Sequence, residues 1–212
     1  ISIEGNDGAA TVTQDCGKTF SSEDNQPTGQ FYHANLDEEF PFNIYGAQQD
    51  RRSVVGPSAS LGGGMPPVWQ NVQGGEMSWV VPTPGRPWIT YGSGYYSKEW
   101  RQNSRTALVT NVSPWPSYQF GLAGSKIKYR YGWNHHPVVF ASHNSKELLM
   151  GANVLFETLD EGTHWKVISP DLTRNDKSKQ ARPGGPISAD VTGEEMFGTI
   201  SSSSLPAFSA SS

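Results

Sequence analysis

A short pattern recurs along this chain and limits its fold more than any other feature. An apolar or aromatic residue, any residue, Gly, then a small polar residue or Ala appears four times. The copies are Ile3-Glu4-Gly5-Asn6, Ile44-Tyr45-Gly46-Ala47, Thr90-Tyr91-Gly92-Ser93 and Leu149-Met150-Gly151-Ala152, the third opening on Thr. Gly-to-Gly spacings are 41, 46 and 59 residues. Four-stranded propeller blades repeat every ~40–50 residues, so the longest spacing is expected to carry an inserted loop, near residues 121–125. Turn residues lead into three copies, as in Phe40-Pro41-Phe42-Asn43, Thr83-Pro84-Gly85-Arg86-Pro87 and His143-Asn144-Ser145-Lys146. An extended run follows each glycine, at 10–13, 53–56, 106–112 and 154–158. Four blade-sized units result, with a fifth beginning near Gly193.

Composition agrees with many short strands. Gly 23 and Pro 15 interrupt nearly every window of the 212 residues, and no sustained 3.6-residue apolar stripe survives between them. Runs such as Trp79-Val80-Val81, Val138-Val139-Phe140 and Trp165-Lys166-Val167-Ile168 suit half-buried strands. The fold class is therefore all-β, as a β-propeller of about four to five four-stranded antiparallel blades over residues 1–200. Residues 201–212 hold seven serines and no charge, and form a Ser-rich flexible tail by the same reasoning. A net charge of −4 and a pI of 5.7 disfavour a nucleic-acid partner, whose phosphates demand a basic face. No run approaches the ~18 apolar residues of a membrane span. The chain opens on strand-like Ile1-Ser2-Ile3 and its first methionine is Met65, so a processed, excised or partial chain is expected.

Two segments share a further pattern, Thr-x-Asp-x-Gly-x-x-aromatic. They are Thr13-Gln14-Asp15-Cys16-Gly17-Lys18-Thr19-Phe20 and Thr158-Leu159-Asp160-Glu161-Gly162-Thr163-His164-Trp165. The Asp carboxylate can accept backbone N–H bonds within a tight turn, the Gly supplies a positive φ, and the aromatic anchors the hairpin in the core. This pattern resembles the Asp-box, or BNR repeat, of sialidase-type β-propellers. Longer stretches are similar to the large glycosyl-hydrolase-like and sortilin-type members: Gln26-Pro27-Thr28-Gly29-Gln30-Phe31-Tyr32-His33, Tyr45-Gly46-Ala47-Gln48-Gln49-Asp50, Asn111-Val112-Ser113-Pro114-Trp115-Pro116, the run from Ile168 to Asp176, Gly184-Gly185-Pro186-Ile187 and Thr192-Gly193-Glu194-Glu195. The resemblance covers roughly residues 4–200. It implies seven or more blades, so that this sequence looks like a middle segment whose blades close as a small ring, through a second copy, or through further blades of a longer chain. It also implies that Asp15, Gly17, Phe20, Asp160, Gly162 and Trp165 form structural turns away from the central channel.

The resemblance designates no catalytic pair, so position alone selects one. A glycosidase needs two carboxylates across one sugar bond, about 5–5.5 Å apart for retention or about 6.5–9.5 Å for inversion. Asp50 and Glu76 stand where polar residues cluster at strand ends and are the catalytic candidates. Gln48 and Gln49 are candidates for sugar hydroxyls, and Trp69 and Trp79 for stacking on a pyranose face. The competing reading has Asp50 and Glu76 capping turns or pairing with Arg51, Arg52 or Arg86. Asp37-Glu38-Glu39 reads as a solvated turn. Adjacent His135 and His136 point to opposite faces of a strand and share no ion easily, so no metal is expected. No cofactor is implied. Asn111-Val112-Ser113 is a sequon, relevant only to a secreted chain. One cysteine, Cys16, forms no internal disulfide.

The leading expectation is an extracellular, BNR-repeat, glycosyl-hydrolase-like propeller acting on carbohydrate. The alternatives are a lectin-like binder without turnover and a non-catalytic, sortilin-like scaffold that binds protein or peptide, or assembles with itself.

Overall fold

A computed structural model describes residues 1–5, 10–22, 29–59, 68–95, 97–132, 137–190 and 196–201. Gln26-Pro27-Thr28, His135, His136, the residues near Gly193 and all of the Ser-rich tail beyond residue 201 lie outside the described residues. The chain divides into two compact units, Ile1–Gln30 and Phe31–Ser212.

The protein is all-β. Among the described residues, helical structure is confined to two single 3₁₀ turns, Gly124–Lys126 and Lys177–Lys179. In the first unit β1 (Ser2–Gly5) pairs antiparallel with β2 (Ala10–Thr13), and Ser21 then returns beside Val12 through its amide, 2.9 Å from the Val12 carbonyl.

Among its described residues, the second unit holds three four-stranded antiparallel sheets, each taken up in chain order. The first is β3 (Phe31–Leu36), β4 (Asn43–Gln48), β5 (Val54–Pro57) and β6 (Gln70–Asn71). The second is β7 (Val80–Thr83), β8 (Arg86–Ser93), β9 (Glu99–Asn103) and β10 (Leu108–Asn111). The third is β11 (Val138–Ala141), β12 (Asn144–Gly151), β13 (Leu155–Thr158) and β14 (Lys166–Val167). None of these sheets closes on itself.

Each recurring glycine of this unit ends up near the finish of a second strand: Gly46 in β4, Gly92 in β8 and Gly151 in β12. β8 and β12 are buried on both faces over their last residues, and in β12 this shows as the continuous apolar run Leu148-Leu149-Met150. Gly92 has a specific reason to lack a side chain. The carbonyl of Gln73, on the segment arriving from the first sheet, occupies the place of its Cβ.

Sheets pack face to face in sequence. Tyr45 of β4 meets Val72 and Val80 between the first and second. Val81, Ile89 and Tyr91 of the second meet Val138, Leu148, Met150 and Phe156 of the third in the larger core. The first strands β3, β7 and β11 are neighbours, and Asn35 Nδ2 donates to the Val80 carbonyl at 2.9 Å. The fourth strands lie at the opposite, exposed edges, so that β10 is exposed along its whole length.

Antiparallel order sorts the connections by end. The turns after first and third strands share one end of each sheet. The turns after second strands share the other, together with the connectors that run to the next sheet, at 72–79 and 112–137. We call these the hairpin end and the connector end.

Candidate functional site

The two Thr-x-Asp-x-Gly segments adopt one geometry. In each, the Thr hydroxyl donates to the Asp Oδ1 at 2.9 Å and accepts the Gly N–H, at 2.9 Å from Gly17 and 3.0 Å from Gly162. In each, Oδ1 also accepts the N–H four residues on, from Thr19 at 2.9 Å and His164 at 2.8 Å. Cys16 and Glu161 both hold φ 61, followed by Gly17 at 84 and Gly162 at 88, a left-handed pair that turns the chain sharply. The second turn joins β13 to β14, at the hairpin end.

The aromatics differ. Trp165 packs on the main core and its Nε1 donates to the Val112 carbonyl at 2.7 Å, tying the third sheet to the second. Phe20 was expected to anchor its hairpin in the same way, yet it is 52% exposed. A Phe lacks the indole N–H that gives Trp165 a polar partner across the sheets.

Hydrogen bonds to the ionised carboxylates lower both acids. The Thr19 backbone N–H, then its hydroxyl, hold Asp15 at about 2, and the His164 backbone N–H and side chain hold Asp160 at about 2. Both are below the ordinary 3.8. A depressed folded-state pKa gives stability that is complete above the unfolded value and lost as pH falls through the folded one. The denaturation midpoint is therefore expected to hold from pH 6 to about 4 and to decline between about 4 and 2. In Asp15→Asn/Asp160→Asn, that decline flattens; an equally steep slope would remove the turns as its source.

The connector end brings Asp50 and Glu76 together, though through the Asp50 backbone. Asp50 stands left-handed at φ 54 in the turn between β4 and β5, and its N–H donates to Glu76 Oε2 at 2.8 Å. The Tyr95 hydroxyl donates to the other oxygen, Oε1. Glu76 thus links the second-strand turns of the first and second sheets. Ser53 reinforces the join, its hydroxyl donating to the Gly75 carbonyl at 3.1 Å. Gln49 accepts from the Tyr32 hydroxyl, while Gln48 Nε2 donates to the Arg52 carbonyl at 3.3 Å. Arg86 lies elsewhere, bound to Glu161 at 2.7 Å.

Trp69 and Trp79 are not part of this group. Trp69 lies over Gly56 and tilts against Phe31, along β5 away from the Asp50 turn. Trp79 stacks on His33 with ring centroids 4.3 Å apart and packs on the main core. Asp37, from the acidic run, closes the turn between β3 and β4 by accepting from Asn43 N–H, Asn43 Nδ2 and Tyr45 OH. Among the described residues, no cluster of His, Cys, Asp and Glu could hold a metal ion.

Other aromatics occupy the connector end in their place. The Trp115 carbonyl accepts from Ser97 Oγ at 2.7 Å, which fastens the 112–137 connector beside the Tyr95 turn. Lys128 Nζ lies 4.4 Å over the Trp115 ring, and Tyr129 meets that ring edge-on at 5.3 Å. Tyr118 and Phe120 stack on each other at 5.7 Å and are 69% and 45% exposed, with Gln119 buried between them. In Trp115-Pro116-Ser117-Tyr118-Gln119-Phe120 the sequence shows only aromatic and polar residues alternating, a pattern that by itself predicts the opposite burial. Glu99, at the start of β9, is fully buried, and burial pushes its carboxyl well above the usual range. Nothing in Lys98-Glu99-Trp100 marks it for burial.

The third sheet is locked at the same end by a buried polar group. Arg130 Nη2 donates to Asp171 Oδ2 at 2.8 Å and Thr173 Oγ1 at 3.1 Å, and its Nε donates to the Gly198 carbonyl at 3.0 Å. Asn153 Nδ2 completes the set on Asp171 at 3.0 Å. Burial pushes the Asp171 carboxyl up, but the Thr173 hydroxyl, Asn153 and Arg130 outweigh it and hold it well below its ordinary value.

Comparison with protein-family models, curated proteins and solved structures finds no match to this chain. No helix among the described residues is long and apolar enough to cross a membrane.

Proposed function

We propose that this chain forms blades of a BNR-type β-propeller that binds carbohydrate at the connector end of its sheets. Three in-order four-stranded meanders with adjacent first strands and exposed fourth strands support the propeller, as do two Thr-x-Asp-x-Gly turns of one geometry. The observation that carries the function is the exposed aromatic surface of Trp115, Tyr118 and Phe120 on a connector whose Trp115 carbonyl accepts from Ser97, two residues after Tyr95. Exposed rings flanked by hydrogen-bonding groups suit pyranose faces, which are apolar on one side and rimmed by hydroxyls.

Binding without hydrolysis is the better-supported form. Both Glu76 oxygens accept hydrogen bonds that join two sheets, and Asp50 meets Glu76 through its amide. A general acid or base must instead reach the reacting oxygen.

Glycan-array binding followed by calorimetry tests the proposal. Trp115→Ala is expected to weaken the captured oligosaccharide about tenfold, equivalent to about 1.4 kcal/mol. Undiminished affinity in both Trp115→Ala and Tyr118→Ala would remove the aromatic surface as the site. Turnover of chromogenic glycosides that vanishes in Asp50→Asn and Glu76→Gln would restore the hydrolase. Scaffold assembly is the second reading, favoured by exposed Leu108 and Val109 on edge strand β10. It predicts oligomers that Val109→Lys disperses in native mass spectrometry.

A further inference from the structure

The aromatic surface at the connector end is bordered by a cation that the proposed function does not use. Lys128 Nζ lies 4.4 Å from the centre of the Trp115 ring and 4.9 Å from that of Tyr129. The two rings meet at 80° with centroids 5.3 Å apart, so they form a corner and the ammonium sits in it. Lys98, Arg105 and Lys179 also lie over aromatic rings, but each over a single one. Among the described residues, no carboxylate pairs with Lys128. The rings themselves therefore set its place.

The walls of this corner are fixed and its occupant is not. Ser97 Oγ donates to the Trp115 carbonyl at 2.7 Å and accepts the Ser117 N–H at 3.2 Å, which holds the chain on both sides of Pro116. Tyr129 is partly buried and meets Phe156 of the main core edge-on at 4.9 Å. Lys128, by contrast, is exposed and carries its charge on a flexible stem.

An ammonium and a sugar compete for the same ring face. That face is the negative part of the ring quadrupole, and it attracts both a cation and the C–H side of a pyranose. A cation over an exposed ring contributes a factor of about two to five, which a neutral sugar must overcome to stack there. A sugar with its own ammonium meets a further penalty. Like charges ~4 Å apart repel by about another factor of five even in water.

We propose that Lys128 is the specificity-determining residue of this surface. Its ammonium fills the corner of Trp115 and Tyr129, so that the surface admits neutral sugars and turns away sugars that carry an ammonium group. The corner is a cation site, open to an external ammonium once Lys128 is removed. The ligand class rests on the carbohydrate reading above, whereas the corner rests on the ring geometry alone.

Two titrations of the full chain test this. In the first, tetramethylammonium is followed through the indole N–H resonance of Trp115. Lys128→Ala is expected to give a saturating shift at millimolar concentration, while wild type and Lys128→Arg do not respond. In the second, calorimetry compares cellotetraose with the glucosamine tetramer, which has the same backbone with ammonium groups in place of one hydroxyl per ring. Wild type and Lys128→Arg are expected to favour cellotetraose. Lys128→Ala is expected to bind cellotetraose about two- to fivefold tighter and the amino tetramer about tenfold tighter or more. The inference is overturned if Lys128→Ala takes up no tetramethylammonium, if wild type takes it up equally, or if the ratio of the two tetramers is the same in both proteins. Uptake by Lys128→Ala alone, with neither tetramer bound by any of the three proteins, supports the corner and counts against the carbohydrate reading. Tetramer binding that is lost in Trp115→Ala but indifferent to Lys128 overturns the inference and leaves that reading standing.

Discussion

Arg130→Ala is expected to destabilise the second unit by about 3–5 kcal/mol, the usual cost of removing one partner from a buried ion pair. Arg130 is 2% exposed, whereas the Asp171 side chain is 23% exposed, so water partly solvates the carboxylate left behind and the cost falls toward the lower end of that range. Asp171 would keep Asn153 and Thr173 but lose its counter-charge, and the Gly198 carbonyl would lose its donor. Lysine is no remedy, since a single ammonium cannot reproduce the fork that spans Asp171 and Gly198. Urea denaturation followed by tryptophan fluorescence measures the effect. Arg130→Met/Asp171→Asn should cost less than the sum of the two single changes, because the second removes the charge that the first strands. Additive single effects, or a shift below about 1 kcal/mol for Arg130→Ala, would mean that the pair is solvated and its role minor.

Trp165→Ala carries the next largest effect, about 2–4 kcal/mol, below or within the range for a fully buried Trp because this ring is only partly buried. Two losses combine. The ring leaves the packing between the second and third sheets, and the Val112 carbonyl loses its indole donor at 2.7 Å. Trp165→Phe separates them: packing is largely retained and about 1 kcal/mol is lost with the hydrogen bond. Phe20→Ala at the matching position of the other turn is expected to cost under about 1 kcal/mol, because Phe20 is already half in solvent. Equal losses at Phe20 and Trp165 would refute the view that only the second aromatic links sheets.

The predictions differ in how far a sequence reader could have reached them. The turn at Asp160 is legible because every group involved lies within a few residues: Thr158, Gly162 and His164 bond to each other or to Asp160 with no help from elsewhere. The role of Trp165 is half legible, since the motif marks the residue but not its partner Val112, 53 positions earlier. Arg130 is not legible at all. Its partner Asp171 is 41 positions away and sits in a loop of ordinary polar composition.

The candidate site divides along the same line. The sequence places Asp50 and Glu76 at strand ends, and antiparallel chain order carries both to the connector end. Which atom of Asp50 faces Glu76 depends on a left-handed backbone at φ 54 that no sequence rule assigns to an Asp before two arginines. Tryptophan by itself misled. Trp79 is drawn under His33 by the packing of the sheets, while Trp115 is held outward by a proline-flanked connector fastened to Ser97.

What the sequence by itself determined is periodic and local: the all-β class, the glycine near the end of each second strand, and the closure of both Thr-x-Asp-x-Gly turns. Side-chain alternation, positive-φ requirements and hydrogen bonds spanning four residues act within one strand or turn, and residue identity is enough to specify them. Only the tertiary structure decided which groups meet across sheets, among them Glu76 with Tyr95 and Glu161 with Arg86 and Arg101. Those meetings follow from how stacked sheets bury their faces. Burial is non-directional, so the pairing across a cleft is settled by the register in which whole sheets pack, which no single stretch of the chain encodes.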